Sequence, residues 1–109
     1  MTTNEAISEM TERIVRRFHP VRVILFGSHA RGDAQPDSDV DLLVVLPQVE
    51  NKRESAIAIR SELSDIPVAK DIIVTSPDEI TRRGHLVSSI LRPALREGKV
   101  LYDRSRIAG

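Results

Sequence analysis

Five residues could carry chemistry in this chain: Gly27, Ser28, Asp39, Asp41 and Asp71. Asp39 and Asp41 open the run DVDLLVVL (39–46), which reads as a strand. Residues i and i+2 on a strand point to one face about 6 to 7 Å apart, so both carboxylates can converge on cations while Val40 turns to the core. Asp71 lies in a second apolar run with Ile72, Ile73 and Val74, and pairing of the two runs would deliver a third carboxylate. Three carboxylates within about 5 Å repel by roughly 3 kcal/mol per pair at an effective dielectric near 20. Bound metal is the simplest reason for them to coexist ionised. Two metals roughly 4 Å apart clamp the attacking and leaving oxygens of an in-line displacement, and hard oxygen donors suit magnesium.

Gly27 and Ser28 would serve the other end of a nucleotide. They follow a β-branched run (21–26), and at a strand-to-helix junction glycine admits close backbone approach while free N–H groups and the Ser28 hydroxyl hold triphosphate oxygens. Arg31, in the same turn, either neutralises phosphate or ties the loop to an acidic neighbour. Competing motifs fail on single letters. Residues 27–32 have P-loop glycine spacing, but Asp33 stands where the phosphate-binding lysine belongs. Asp37, Asp39 and Asp41 have calcium-loop spacing, but Leu42 and Gln48 occupy the positions of the required glycine and glutamate. The histidines His19, His29 and His85 form no ligand set, and His29 is expected on the surface.

The elements that must position these residues can be read from caps and periodicity. Thr2 and Glu5 have capping-box spacing, and Ile7, Met10, Ile14, Val15 and Phe18 recur at helical intervals up to His19-Pro20. A strand over 21–26, a short helical turn through Asp33 and a loop holding Pro36 lead to the strand over 39–46. Its first half alternates and its second half is continuously apolar, as expected where the far end is buried on both faces. Asn51 and Glu54 cap a helix that stops before Asp65-Ile66-Pro67, and a third strand spans 68–75. Ser76, Pro77 and Glu79 start a further helix, interrupted at Gly84 and resumed over 85–97 with a kink at Pro93. A short strand over 99–102 ends a domain of residues 1–103, and the polar end (104–109) is expected to fray.

Composition narrows the function classes. With 109 residues, 40% of them apolar, the chain builds one core and leaves no room for a second lobe, so an acceptor must come largely from outside. Lys plus Arg and Asp plus Glu both number 16, which removes the bulk positive field of non-specific nucleic-acid binding. Phe18, Phe26 and Tyr102 are too few for a base-stacking platform, so no direct nucleic-acid binding is expected. The absence of cysteine, of a membrane-length apolar run and of signal-peptide regions in MTTNEAISEM leads to the expectation of a soluble cytoplasmic protein.

The segment FGSHARGDAQPDSDVDLLVV (26–45) resembles the nucleotidyltransferase superfamily that includes DNA polymerase β, and most closely its minimal nucleotidyltransferase (MNT) branch. That pattern is Gly-Ser, ten residues, then Asp-x-Asp, which Gly27-Ser28, residues 29–38 and Asp39-Val40-Asp41 fit without a gap. At residue frequencies of about 5 to 7%, four such letters arise by chance in roughly one chain in a thousand. Ala30-Arg31-Gly32, Ser38 and Leu42 match as well, and the similarity extends along nearly the whole chain to LREGKVLY (95–102). One departure is Lys70, beside Asp71 where an apolar residue is more usual.

The resemblance implies an α/β (α+β) fold, a small mixed sheet of about four strands flanked by helices, with two Mg2+ ions and ATP as ligands. It implies Asp39, Asp41 and Asp71 as catalytic metal ligands, and Gly27, Ser28, Arg31 and Ser38 on the nucleotide. Proteins of this branch are typically antitoxins of HEPN/MNT pairs, which implies transfer of AMP to a tyrosine of a HEPN ribonuclease toxin. Two alternatives stand beside it: an antitoxin that neutralises its toxin by binding alone, and nucleotidyl transfer to a small molecule such as an aminoglycoside. The second is disfavoured by the lack of a separate substrate domain.

Overall fold

The computed structural model describes residues 1–35, 37–83 and 96–107. The helix expected over 85–97, its interruption at Gly84 and its kink at Pro93 lie outside the described residues apart from Arg96 and Glu97, as does Pro36 of the expected loop.

Helix α1 (Thr3–Phe18) starts at the expected capping box: the Glu5 N–H donates to Thr2 Oγ1 at 3.1 Å and the Thr2 N–H to Glu5 Oε1 at 3.0 Å. It ends where His19 turns left-handed (φ 49°) and donates its N–H to the Val15 carbonyl, ahead of Pro20, which cannot continue a helix. Strand β1 (Arg22–Phe26), helix α2 (Ser28–Arg31) and strand β2 (Val40–Val45) follow. Helix α3 (Lys52–Glu62), capped by Asn51, crosses over to strand β3 (Lys70–Thr75), and helix α4 (Pro77–Arg83) starts where Ser76 Oγ accepts the Glu79 N–H at 3.1 Å. Strand β4 (Lys99–Asp103) and helix α5 (Arg104–Ile107) complete the described chain.

The sheet has the order β3-β2-β1-β4, with β2 and β3 parallel and the other two pairs antiparallel. This is the mixed four-stranded sheet expected. Parallel neighbours need a crossover, which α3 supplies. Alternation along the strands sends Val23, Leu25, Val40, Leu42, Val44, Ile72 and Val74 to one face, under Met10 and Ile14 of α1 and Ile59 of α3. Ile24, Leu43 and Val45 face the other way, against Phe26, Ile73 and Ile80. The continuous apolar stretch 42–46 is therefore buried on both faces, while Asp41, two residues before Leu43, emerges at the margin of the second face. Among the described residues no helix is long and apolar enough to cross a membrane.

Long-range ties fix the helices. The end expected to fray forms a helical turn through residue 107: Asp103 Oδ1 accepts from the Ser105 N–H and hydroxyl, the Arg104 N–H donates to Val21 O at 2.9 Å, and the Arg104 side chain reaches the His19 carbonyl. Arg13 bonds Glu9 Oε2 at 2.8 Å, the Glu62 carbonyl at 3.1 Å and Asp65 through two nitrogens at 2.5 and 3.1 Å, stapling α1 to the end of α3. The hydrogen bond from Arg13 holds the Asp65 carboxyl below its ordinary value. A depressed folded-state value means the pair stabilises the fold at pH values above the unfolded carboxylate range, and that this contribution is lost as pH falls through the folded value. Arg13→Met is expected to melt at a lower temperature than wild type at neutral pH, with the gap closing in acid. Melting curves recorded from neutral pH to below the ordinary carboxylate value would show an unchanging gap if the ion pair contributes nothing.

Candidate active site

The site is built on a turn that only glycine makes easily. After Phe26 the chain passes through Gly27 at φ 74°, ψ −156°, a region essentially closed to residues with a Cβ. The Gly27 carbonyl accepts the Ala30 and Arg31 N–H groups at 3.1 Å, which winds α2. The Ser28 carbonyl accepts the N–H groups of Gly32 at 3.0 Å and Asp33 at 3.1 Å and closes the turn. The amides of Ser28 and His29, in the first turn of a helix, have no acceptor within it.

Register brings the carboxylates to this turn. Phe26 pairs with Asp41 across the antiparallel β1–β2 ladder, so Gly27 lies beside Asp41. The approach is close: a Cβ placed on Gly27 would stand 2.2 Å from Asp41 Oδ2. Across the parallel β2–β3 ladder Asp41 pairs with Asp71, and the Val40 N–H donates to the Ala69 carbonyl at 2.9 Å just before that pair. Asp39 and Asp71 are exposed and Asp41 is half-buried. Burial raises the Asp41 carboxyl above its ordinary value, and the charges of Asp71 and then Asp39 raise it further, while His29 and Arg31 pull the other way. The three carboxylates thus share one acidic corner and repel one another across it.

The donor chemistry and the strand register fit a hard divalent cation. Among the described residues, no three His, Cys, Asp or Glu side chains are gathered closely enough to hold a metal as they stand. Side-chain rotation of the exposed Asp39 and Asp71 would have to close the corner on an ion.

The remaining sequence candidates take more local positions. Arg31 Nε bonds Asp33 Oδ2 at 3.3 Å, both side chains being exposed. Ser38 Oγ accepts the Gln35 N–H at 2.8 Å, and the Ser38 N–H donates to Gln35 O at 3.0 Å, so its hydroxyl shapes the turn ahead of Asp39. His29, expected on the surface, is half-buried, with Nε2 at 3.2 Å from the Ser38 carbonyl. No local periodicity could announce a contact spanning nine residues. Lys70 does not disturb the register at Asp71: its Nζ donates back to Ile66 O at 3.0 Å.

A cavity of about 360 Å³ opens at the far end of β3, lined by Val49, Lys52, Thr75, Ser76, Glu79 and Arg82 among others. It contains none of the corner residues. Its Lys52 is paired with Glu79 at 3.0 Å, whereas the corner concentrates like charge around Asp41.

Residues 7–96 match the family described as Nucleotidyltransferase domain. The chain belongs to the nucleotidyltransferase family. Its Gly-Ser turn and acidic corner both fall inside the matched segment. Over 39 residues it is 46% identical to a Methanocaldococcus jannaschii protein provisionally named protein adenylyltransferase MJ0141, a match spanning 36% of this chain and 39% of that one. The chain therefore spans well under half of that relative. A provisionally assigned nucleotidyltransferase from Sulfolobus solfataricus shares the fold with a TM-score of 0.65 and 24% identity, over 94% of this chain and 81% of that one. A chain in a toxin–antitoxin crystal structure with AMP-PNP shares it at a TM-score of 0.60 and 18% identity, over 92% and 76% of the two chains. A provisionally assigned minimal nucleotidyltransferase matches with a TM-score of 0.53 and 30% identity, over 89% and 91%.

Proposed function

We propose that this nucleotidyltransferase transfers AMP from ATP to a tyrosine of a partner protein, a HEPN ribonuclease toxin, and thereby acts as its antitoxin. The observation that carries the reading is the Asp41–Asp71 register pair set against the Gly27-Ser28 turn. Family membership supports nucleotidyl transfer, the name of the Methanocaldococcus relative supports a protein acceptor, and the toxin–antitoxin neighbour with AMP-PNP supports the context.

In this reading Gly27 lets the backbone approach the triphosphate, and the Ser28 hydroxyl with the amides of Ser28 and His29 binds its oxygens. Asp39, Asp41 and Asp71 would hold magnesium, which when bound neutralises phosphate charge and polarises the phosphoryl oxygens. The tyrosine oxygen attacks the α-phosphorus in line, the bond to the β-phosphate oxygen breaks, and pyrophosphate leaves with the electron pair. Asp71, exposed on the β3 side of the corner, would take the phenolic proton. Positioning and charge neutralisation supply most of the rate.

The test is incubation of the chain with ATP labelled at the α-phosphate, magnesium and the product of the neighbouring gene. Wild type is expected to add label and the mass of AMP to a partner tyrosine, while Asp39→Ala with Asp41→Ala adds none. Equal labelling by both proteins, or toxin neutralisation that persists without any transfer, would overturn the reading. Label appearing on an aminoglycoside in the partner's absence would redirect it to a small molecule.

A further inference from the structure

We propose that His29 is a positioning residue, clamping the loop that joins the Gly27-Ser28 turn to the acidic corner so that Asp39 is held in a fixed pose towards Ser28. The inference rests on the reading of the corner as a metal and nucleotide site.

The bond itself is specific. The Ser38 oxygen is a carbonyl and can only accept, so the ring nitrogen 3.2 Å away, Nε2, carries the hydrogen. That carbonyl belongs to the peptide unit whose other end is the Asp39 nitrogen, and holding it sets the peptide plane from which Asp39 departs. The next peptide is held from the other side, where the Val40 N–H donates to the Ala69 carbonyl at 2.9 Å. Asp39 thus stands between two anchored peptides while its own side chain is exposed. Without the His29 bond the near anchor among the described residues would be the small turn that Ser38 makes with Gln35, which is local to the loop and does not connect it to the phosphate side.

Placement along the chain gives the bond its use. Ser28 and His29 are consecutive in the first turn of α2. One offers its hydroxyl to the phosphates, and the other reaches nine residues ahead to the acidic side, so the two halves of the site are coupled through a single turn. Among the described residues His29 belongs to neither hydrophobic cluster, and its loss should leave the core intact.

The experiment compares His29→Gln, whose terminal amide places an N–H donor at nearly the same reach, with His29→Phe, which keeps a ring and loses the donor. Manganese binding in the presence of a non-hydrolysable ATP analogue is followed by electron paramagnetic resonance, alongside melting temperature and AMP transfer as magnesium is titrated. His29→Phe is expected to weaken manganese binding about tenfold, the low end for residues that orient a ligating group, and to raise the magnesium requirement of transfer in parallel. Its melting temperature should stay near that of wild type, and His29→Gln should remain within about threefold of wild type in binding. Wild-type binding by His29→Phe, or equal weakening in both variants, overturns the inference while leaving the site reading intact if Asp39→Ala binds more weakly than wild type. Indistinguishable binding by wild type and Asp39→Ala overturns the site reading, and this inference with it.

Discussion

Replacing Asp41 with asparagine is expected to lower AMP transfer about a thousandfold and, in metal-free buffer at neutral pH, to raise the melting temperature. The first effect follows from the several kcal/mol of charge stabilisation that a metal clamp supplies, since about 4 kcal/mol corresponds to three decades in rate. The second follows from burial of the Asp41 charge and, after it, from the repulsion of its neighbours. Burial, then Asp71, then Asp39 raise the Asp41 carboxyl, so the folded chain holds that proton more tightly than the unfolded chain does. For a carboxyl raised on folding, the ionised form costs stability at pH values above the raised value. The cost fades as pH falls through that value and is gone below the unfolded one. Asparagine lacks the charge, so the variant's advantage should be largest at neutral pH and shrink as acid protonates Asp41 in wild type. Magnesium with nucleotide should reverse the ranking, because a ligand that binds only the folded wild type stabilises it by about 2.7 kcal/mol at a hundred times its dissociation constant. Melting curves with chelator, with magnesium and nucleotide, and across acid pH decide the matter. A variant no more stable than wild type in chelator would show that neither burial nor repulsion makes the Asp41 charge costly, and transfer within about tenfold of wild type would remove Asp41 from the site.

The sequence disclosed most clearly what is written within three or four residues. Thr2 with Glu5, Asn51 with Glu54 and Ser76 with Glu79 each make the cap bond their spacing implied, because such bonds need only the local turn. The strands were legible from alternation and from the apolar run 42–46, whose burial on both faces explains why its alternation is lost. Strand geometry read Asp39 and Asp41 as a same-face pair, but the strand begins at Val40, so Asp39 stands just ahead of it and its placement depends on the loop. Register was not legible. A shift of one residue would have turned Asp71 to the opposite face, and only the assembled β2–β3 ladder shows it opposite Asp41. The same holds for contacts that depend on how a loop closes. His29 reaches Ser38 across nine residues and Arg104 reaches His19 across 85, and neither leaves a periodic trace.

Gly27→Ala is expected to destabilise the fold by about 1–3 kcal/mol and to reduce transfer as severely as loss of Asp41. Two separable effects act at this position. The backbone, at φ 74° and ψ −156°, is strained for any residue with a Cβ. The added methyl would also stand 2.2 Å from Asp41 Oδ2 and 3.2 Å from its Cγ, so the carboxylate must swing out of the corner to admit it. That rotation is available to a short half-buried side chain, which keeps the folding cost moderate while removing a central ligand. A double-mutant cycle separates the two. An Asp41→Ala background removes the two nearest of these atoms and leaves the residue-41 Cβ at 3.5 Å from the new methyl, an ordinary van der Waals contact. Gly27→Ala should therefore be milder there by about 1 kcal/mol, the remainder being backbone strain. Equal destabilisation in both backgrounds would mean that glycine is needed for its conformation alone. A coupled result would mean that the Gly-Ser turn and the strand carrying Asp41 are built as one unit, with the missing Cβ as the space in which Asp41 is held.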